Sequence, residues 1–162
     1  MVLANQTNAF RDNNEQPNTT HATKKNLLLK IVLALTATFI VLSGLNIGLG
    51  GIPTLGWGGQ KDFLTVTNET DYRIQDSHVR YVGGLWLGIG LFFFLSLTNL
   101  ARFKTILLFC FVLIFFGGIL RLFQGQPDTT FRLPVLPSLL AELLGMPFLF
   151  FWLQKAVGSR AA

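Results

Sequence analysis

Four long apolar runs dominate the chain and predict four membrane-spanning helices. The runs cover residues 31–49, 82–97, 106–123 and 133–153. A helix needs roughly 20 mostly apolar residues to cross a hydrocarbon core about 30 Å thick. We therefore predict an all-α, polytopic membrane protein, built as one four-transmembrane-helix bundle over residues 27–155. The four helices are predicted at about residues 27–52, 79–98, 104–123 and 133–154.

The segments outside the runs differ in length and composition. Residues 98–105 are short enough to make the second and third helices antiparallel neighbours. Residues 53–77 form a longer first loop, in which residues 63–66 and 72–74 flank a polar turn and predict a short hairpin or an extended cap. The first 26 residues lack apolar periodicity and are predicted to be a disordered tail, and residues 156–162 a second tail.

The distribution of Lys and Arg predicts the orientation in the membrane, because these residues concentrate near helix ends on the cytoplasmic side. Eight fall on the side that holds the N-terminus and five on the opposite side, which also carries most of the acids. Both termini are therefore assigned to the cytoplasm, and the long first loop is extracytoplasmic. The eight are Arg11, Lys24, Lys25, Lys30, Arg102, Lys104, Lys155 and Arg160; the five are Lys61, Arg73, Arg80, Arg121 and Arg132.

Composition narrows the classes of function. Hydrophobic residues make up 51% of the chain and charged residues 13%. The net charge of +5 forms no basic stripe with aromatic residues, so no nucleic-acid partner is expected. Cys110 is the one cysteine, and no Cys/His grouping has the spacing of metal ligands. No catalytic triad, nucleotide loop or haem-binding histidine pair is visible. We expect no catalytic residue, no metal and no cofactor, which favours a protein that is not an enzyme.

Charged residues within or beside the apolar runs are the candidate chemistry, because a charge in a membrane is costly and needs a partner. Arg80, Arg121 and Glu142 lie in the second, third and fourth helices, with Asn46 in the first and His78 near Arg80. The predicted topology places Arg80, Arg121, Glu142 and Asn46 toward the outer ends of their helices, and His78 on the outer surface. We therefore predict a polar cluster, with Arg121 as the first partner of Glu142 and Arg80 as the second.

Glycines accompany these charges at helical spacing. Small residues four positions apart let membrane helices approach closely, and Gly84 and Gly88 follow Arg80 at that spacing. The predicted helix-packing positions are Gly83, Gly84, Gly88, Gly117, Gly118 and Gly145.

The polar cluster has two interpretations at this point. It is either a structural ion pair that fixes the register of the helices, or a binding site. Two guanidinium groups against one carboxylate leave a nominal charge of +1, which suits an anionic headgroup or a carboxylate.

The stretch from Asp76 to Leu91, DSHVRYVGGLWLGIGL, resembles a family of bacterial four-helix membrane proteins, DUF4345, a domain of unknown function. The resemblance covers about residues 27–155 and implies the same helix number and order. The family has an acidic residue at the position of Gln124 in its third-loop turn. More distantly, the architecture is similar to the DoxX-like proteins, some of which are linked to quinone or thiol redox chemistry. The positions that match the family are Arg80, Gly83, Gly84, Leu85, Gly117, Gly118, Arg121, Pro127 and Glu142.

Three hypotheses for function follow, all set in a bacterial inner membrane. The first is a non-enzymatic protein that binds a lipid or amphipathic anion in an outward-facing polar pocket lined by Arg80, Arg121 and Glu142. Such a protein would support envelope lipid balance or the permeability barrier, with membrane lipids as its partners. The second is a structural or assembly subunit that binds another membrane protein or a second copy of itself. The third is a DoxX-like quinone or redox subunit, which a bound chromophore would reveal.

Overall fold

Four helices of the computed structural model are long and apolar enough to cross a membrane. The structure describes residues 17–54, 65–123, 125 and 127–158, without the side chains of residues 17–26 and 129. The described residues contain no strand, so the chain is an all-α, multi-pass membrane protein, as the apolar runs predicted. The elements are α1 (Pro17–Gly50), a 3₁₀ turn (Ile52–Thr54), α2 (Glu69–Ser96), α3 (Leu100–Leu122), α4 (Pro127–Thr130) and a fourth spanning helix (Leu136–Gly158).

The first helix begins earlier than the sequence predicted. It starts at Pro17, inside the segment expected to be disordered, so the predicted boundary at residue 26 is wrong. Proline suits a first helical position, since its fixed φ matches the helix and its missing N–H has no partner to lose there. The preceding residues 1–16 lie outside the described part.

The second helix also begins early, which corrects the predicted hairpin or extended cap. Asn68 is its N-cap, and the side-chain oxygen accepts hydrogen bonds from the backbone N–H groups of Thr70, at 3.0 Å, and Asp71, at 3.3 Å. This cap satisfies donors that the first helical turn leaves free, so residues 69–74 are helical. Phe63 and Leu64, the first half of the expected hairpin, lie outside the described residues.

A three-residue turn, residues 97–99, joins α2 to α3. Asn99 caps α3 by accepting from the backbone N–H of Arg102 at 3.0 Å. The turn is too short for any arrangement except antiparallel neighbours.

The fourth spanning helix contains a wider turn. This helix consists of α5 (Leu136–Leu140), a π-helical segment (Ala141–Gly145), which is the wider turn, and α6 (Met146–Gly158). Pro147 lies two residues after the end of the π segment. A proline ring clashes with the carbonyl four residues earlier and has no N–H to bond it, and the wider turn relieves that clash. The sequence analysis did not predict the π segment.

The hydrophobic core occupies one half of the bundle, around the α2–α3 turn. All four spanning helices contribute to this shared core, which comprises Leu29, Leu33, Ala37, Ile40, Phe93, Leu100, Leu107, Cys110, Phe111, Ile114, Met146, Leu149 and Leu153. We call the other half, residues 41–54, 69–88, 116–122 and 136–145, the polar half. There the close contacts lie within two helix pairs, α1 with α2 and α3 with the fourth helix.

Glycine brings α1 and α2 together in the polar half, where they make the most extensive helix contact of the described chain. A Cβ at Gly83 would lie 2.3 Å from the backbone nitrogen of Gly48, and one at Gly44 would lie 2.4 Å from that of Leu87. These distances are far below van der Waals contact, so glycine is required at both positions. Small residues let membrane helices approach in this way.

Three of the predicted packing glycines do not pack within the bundle. Apart from chain neighbours and the nearby backbone of their own helix, Gly84, Gly88 and Gly117 have no atom of a described residue within 4 Å of the position where a Cβ would stand. The expectation was therefore wrong for these positions, because α2 and α3 are rotated so that the adjacent Gly83 and Gly118 face the neighbouring helices.

Gly118 contacts the fourth helix, with a hypothetical Cβ 2.9 Å from the Cβ of Glu142. The remaining predicted position, Gly145, makes no close approach to another helix, since only Ala141 of the same helix lies near, at 4.0 Å.

Candidate functional site

The predicted polar cluster is divided into two ion pairs on different helix pairs. Arg80 pairs with Asp76 at 2.7 Å, and Arg121 pairs with Glu142 at 3.1 Å. Among the described contacts none joins Arg80 to Glu142, so Arg80 is not the second partner of that carboxylate. The expected charge of +1 is likewise wrong, because each guanidinium has its own carboxylate.

Asp76 and Arg80 close the C-terminal end of α1. Asp76 accepts a hydrogen bond from the backbone N–H of Ile52 at 2.7 Å, and Arg80 donates to the carbonyl oxygen of Leu49. The last carbonyls of a helix lack partners and carry partial negative charge, so a guanidinium is favourable there. Asp76 and Arg80 therefore fasten α2 to the end of α1, and we call them the clasp.

The backbone at the end of α1 is shaped to admit the clasp. Gly51 has a φ of +67°, which favours glycine, and a Cβ on it would lie 1.9 Å from a carboxylate oxygen of Asp76. Any other residue would push the carboxylate away. The clasp is thus a structural device, in which Arg80 is bonded to Asp76 and to the carbonyl of Leu49; its side chain is 43% exposed, as that of Arg121 is.

Asn46 and His78 do not join the carboxylate in the contacts that the structure gives. Asn46 donates from its amide to the carbonyl of Thr54 at 3.0 Å, and Thr54 donates from its hydroxyl to the carbonyl of Asn46 at 2.9 Å. These bonds close the 3₁₀ turn after α1. His78 is exposed on α2, on one helix face with Arg73 and Ile74.

Arg121, Ser138 and Glu142 form the candidate site. Arg121 donates from Nη1 to the hydroxyl of Ser138 at 3.0 Å, and its Nη2 lies 3.1 Å from Oε1 of Glu142. Ser138 in turn donates to the carbonyl of Val135 at 2.8 Å. The three side chains join the end of α3 to the beginning of the fourth helix.

Two local features position Glu142: the π segment that contains it and Gly118 on the facing helix α3. Glu142 lies in the π segment, and such segments often occur at functional sites. Gly118 offers no side chain, so the carboxylate side chain packs directly on the backbone of α3. Glu142 is only 7% exposed.

One oxygen of that carboxylate is left without a partner. Oε2 of Glu142 is buried and accepts no hydrogen bond from any described residue. Buried polar atoms in proteins almost always have a partner, and a buried charged group without one is costly. The site therefore combines a buried acceptor without a donor, Oε2 of Glu142, with the side chain of Arg121, which is 43% exposed.

An apolar groove begins one turn deeper along the same helix pair. It has a volume of about 230 Å³ and lies between α3 and α6. Met146, one turn after Glu142, and Phe115, three residues before Gly118, both line it. The other lining residues are Phe111, Val112, Pro147, Phe150 and Phe151.

Among the described residues, no three His, Cys, Asp or Glu side chains lie close enough together to bind a metal ion. The arrangement can offer a cationic donor, a carboxylate acceptor and an apolar surface. It has no nucleophile paired with a base among the residues at the site.

The chain matches the family model described as "Domain of unknown function (DUF4345)" over residues 28–153. It belongs to that family, as the resemblance of the Asp76–Leu91 stretch indicated. No curated protein and no solved structure matches the chain. The family description names no activity.

The role of Asp76 was not predicted from the sequence. Asp76 stands four residues before Arg80, a spacing at which opposite charges meet on a helix. That spacing was the available signal, and it would have assigned Arg80 a local partner.

Proposed function

We propose that the protein binds a lipid or another amphipathic anion at Arg121, Ser138 and Glu142. The protein acts without catalysis, in a bacterial inner membrane, and supports the lipid balance or permeability barrier of the envelope. With both termini in the cytoplasm, the polar half faces outward and receives its ligand from the outer leaflet.

The unpartnered oxygen of Glu142 is the observation that carries this proposal. An ion pair kept only for stability would be expected to satisfy both carboxylate oxygens, since a half-satisfied buried group weakens the fold. Here Oε1 bonds Arg121 while Oε2 has no donor among the described residues. A ligand that supplies the donor completes the site.

Arg121 supports an anionic group in the same ligand. Its guanidinium lies near the end of α3, is 43% exposed in its side chain, and presents several donors in one plane. Guanidinium groups bind phosphate and carboxylate through two parallel hydrogen bonds. Nη1 and Nη2 hold Ser138 and Glu142, and we propose that the exposed part of the guanidinium donates to a headgroup.

Native mass spectrometry of the purified protein tests the proposal. The wild type should retain a bound amphiphile, and the double variant Arg121→Met, Glu142→Gln should lose it while keeping most of its thermal stability. A matched control is Arg73→Gln, Glu69→Gln, which removes one exposed ion pair of α2, at 2.9 Å, away from the site.

The control should retain the amphiphile as the wild type does. Equal retention by the double variant, together with full complementation of the cellular function, would remove the binding site and leave Arg121 and Glu142 as scaffold.

A second candidate is a structural or assembly subunit. Gly84 and Gly88 lie open on α2, four residues apart, with no described atom near their Cβ positions. Such a face permits close approach of another helix. Retention of a partner in mild detergent, lost in Gly84→Leu but not in Phe94→Leu, would favour this function.

A further inference from the structure

We propose that the ligand is a single-chain amphiphile with an anionic head and a hydroxyl group on the chain side of that head. This inference rests on the proposed function and names the chemical class that the site accepts. It follows from the order in which a donor, an acceptor and an apolar groove occur along one helix pair.

The three features lie at increasing depth in the membrane. Arg121 is one residue from the end of α3. Glu142 lies six residues after the start of α5, which corresponds to about 9 Å along the helix. The groove begins at Met146, about 6 Å deeper again. A ligand aligned with the helices therefore meets a cation, then a buried acceptor, then an apolar surface.

The donor that Glu142 needs is best supplied by a hydroxyl group. Glu142 already has Arg121 as its cationic partner, so an ammonium group from the ligand would bring a further charge into a region of low dielectric. Burying an additional charge is expensive, whereas a hydroxyl group satisfies Oε2 and adds none.

The groove accommodates one chain. Its volume of about 230 Å³ is below the roughly 300–1,000 Å³ of pockets that enclose a whole small molecule. It is also confined to the space between two helices, and its lining is apolar throughout. One hydrocarbon chain fits beside Pro147, two residues after the widened segment, and a second chain would stay in the bilayer.

Two sources share this chemistry. In a 3-hydroxy fatty acid, the carboxylate would bind Arg121 and the hydroxyl group would donate to Glu142. In a lysophospholipid, the phosphate and the free glycerol hydroxyl group would take the same places.

Two matched pairs of ligands test the inference with the full-length protein in nanodiscs. The first pair is 3-hydroxytetradecanoate against tetradecanoate, and the second is 1-acyl lysophosphatidate against its 2-deoxy analogue. Affinities are measured by competition in native mass spectrometry. A hydrogen bond to a charged acceptor predicts about tenfold tighter binding for the hydroxylated member of at least one pair. The pair with the larger ratio identifies the head as carboxylate or phosphate.

The variant Glu142→Met removes the acceptor and should reduce the affinity ratio of hydroxylated to unhydroxylated ligand to about one. The control Glu69→Met removes an exposed carboxylate of α2 and should leave that ratio unchanged. If Glu142→Met does not fold, the two ligand pairs on the wild type still decide. Equal affinity within both pairs, with binding that depends on Arg121, would overturn the hydroxyl inference and leave the proposed function intact. Absence of Arg121-dependent binding of all four probes would overturn both.

Discussion

The same substitution, glycine to alanine, at the adjacent positions Gly83 and Gly84 tests how α2 packs against α1. In Gly83→Ala the new methyl group would lie 2.3 Å from the backbone nitrogen and 2.6 Å from the Cα of Gly48. Both atoms belong to a helix backbone and do not rotate away. In Gly84→Ala the methyl group meets no atom of a neighbouring described helix within 4 Å.

The structure sets the size of the expected difference. At Gly83 the shortest contact must grow from 2.3 Å to about 3.4 Å, the onset of ordinary contact, so α1 and α2 must separate by about 1 Å. Overpacking typically costs 1–3 kcal/mol, and we expect the upper part of that range, about 2–3 kcal/mol, for a backbone contact. At Gly84 the better helix propensity of alanine should stabilise by about 0.5–1 kcal/mol.

Reversible unfolding in mixed micelles, followed by far-UV circular dichroism, measures both values. We expect Gly83→Ala to be less stable than the wild type and Gly84→Ala to be equal or more stable. Equal stability of the two variants, or the opposite order, would refute the rotation of α2 on which the close α1–α2 contact depends.

Three further predictions concern the ion pairs and the topology. Asp76→Ala removes the acceptor for Ile52 and the partner of Arg80, and should lower the unfolding free energy clearly more than Glu69→Ala, which breaks an exposed pair; similar losses would contradict the clasp. Arg121→Met leaves Glu142 buried without its cation and should cost about 3–5 kcal/mol, most of which Glu142→Gln should restore in thermal unfolding. An alkaline phosphatase fusion within residues 53–77 should be active and one at Ala162 inactive, and the reverse pattern would place the polar half at the cytoplasmic side.

The number and position of the spanning helices could be predicted from the sequence because hydropathy alone decides which segments a bilayer accepts. The Arg121–Glu142 pair was predictable for a related reason. A carboxylate within an apolar helix needs a partner, and the topology placed Arg121 at the same end of the bundle.

Helix rotation was not predictable in the same way. Gly83 and Gly84 are neighbours in the sequence, yet they point about 100° apart on the helix. The pattern of polar and apolar residues around them does not indicate which of the two glycines faces α1. The predicted packing positions included Gly83 together with the Gly84–Gly88 pair, and the structure uses Gly83 alone of these, with Gly44 and Gly48 of α1 opposite.

The partner of Arg80 and the π segment escaped prediction because each depends on a local detail. Asp76 is one turn from Arg80 and satisfies it before any distant carboxylate can. The π segment leaves the apolar pattern of the fourth helix unchanged, so periodicity does not reveal it. Pro147 was the available signal for a disturbed helix.

The division of buried residues into a shared core and two helix pairs sets an order of assembly while the chain is being synthesised. The first two spans emerge first, and their contact and clasp use residues of α1 and α2, which end at Ser96, so this hairpin can form before the third span has been made. The shared core requires Met146, Leu149 and Leu153, and it closes only when the last helix inserts. Until then the core residues of the first three spans lack the partners that the last helix supplies. A chain interrupted before residue 136 would thus leave a stable hairpin beside an unfinished apolar surface, which is the kind of intermediate that membrane insertion factors and quality-control proteases act on.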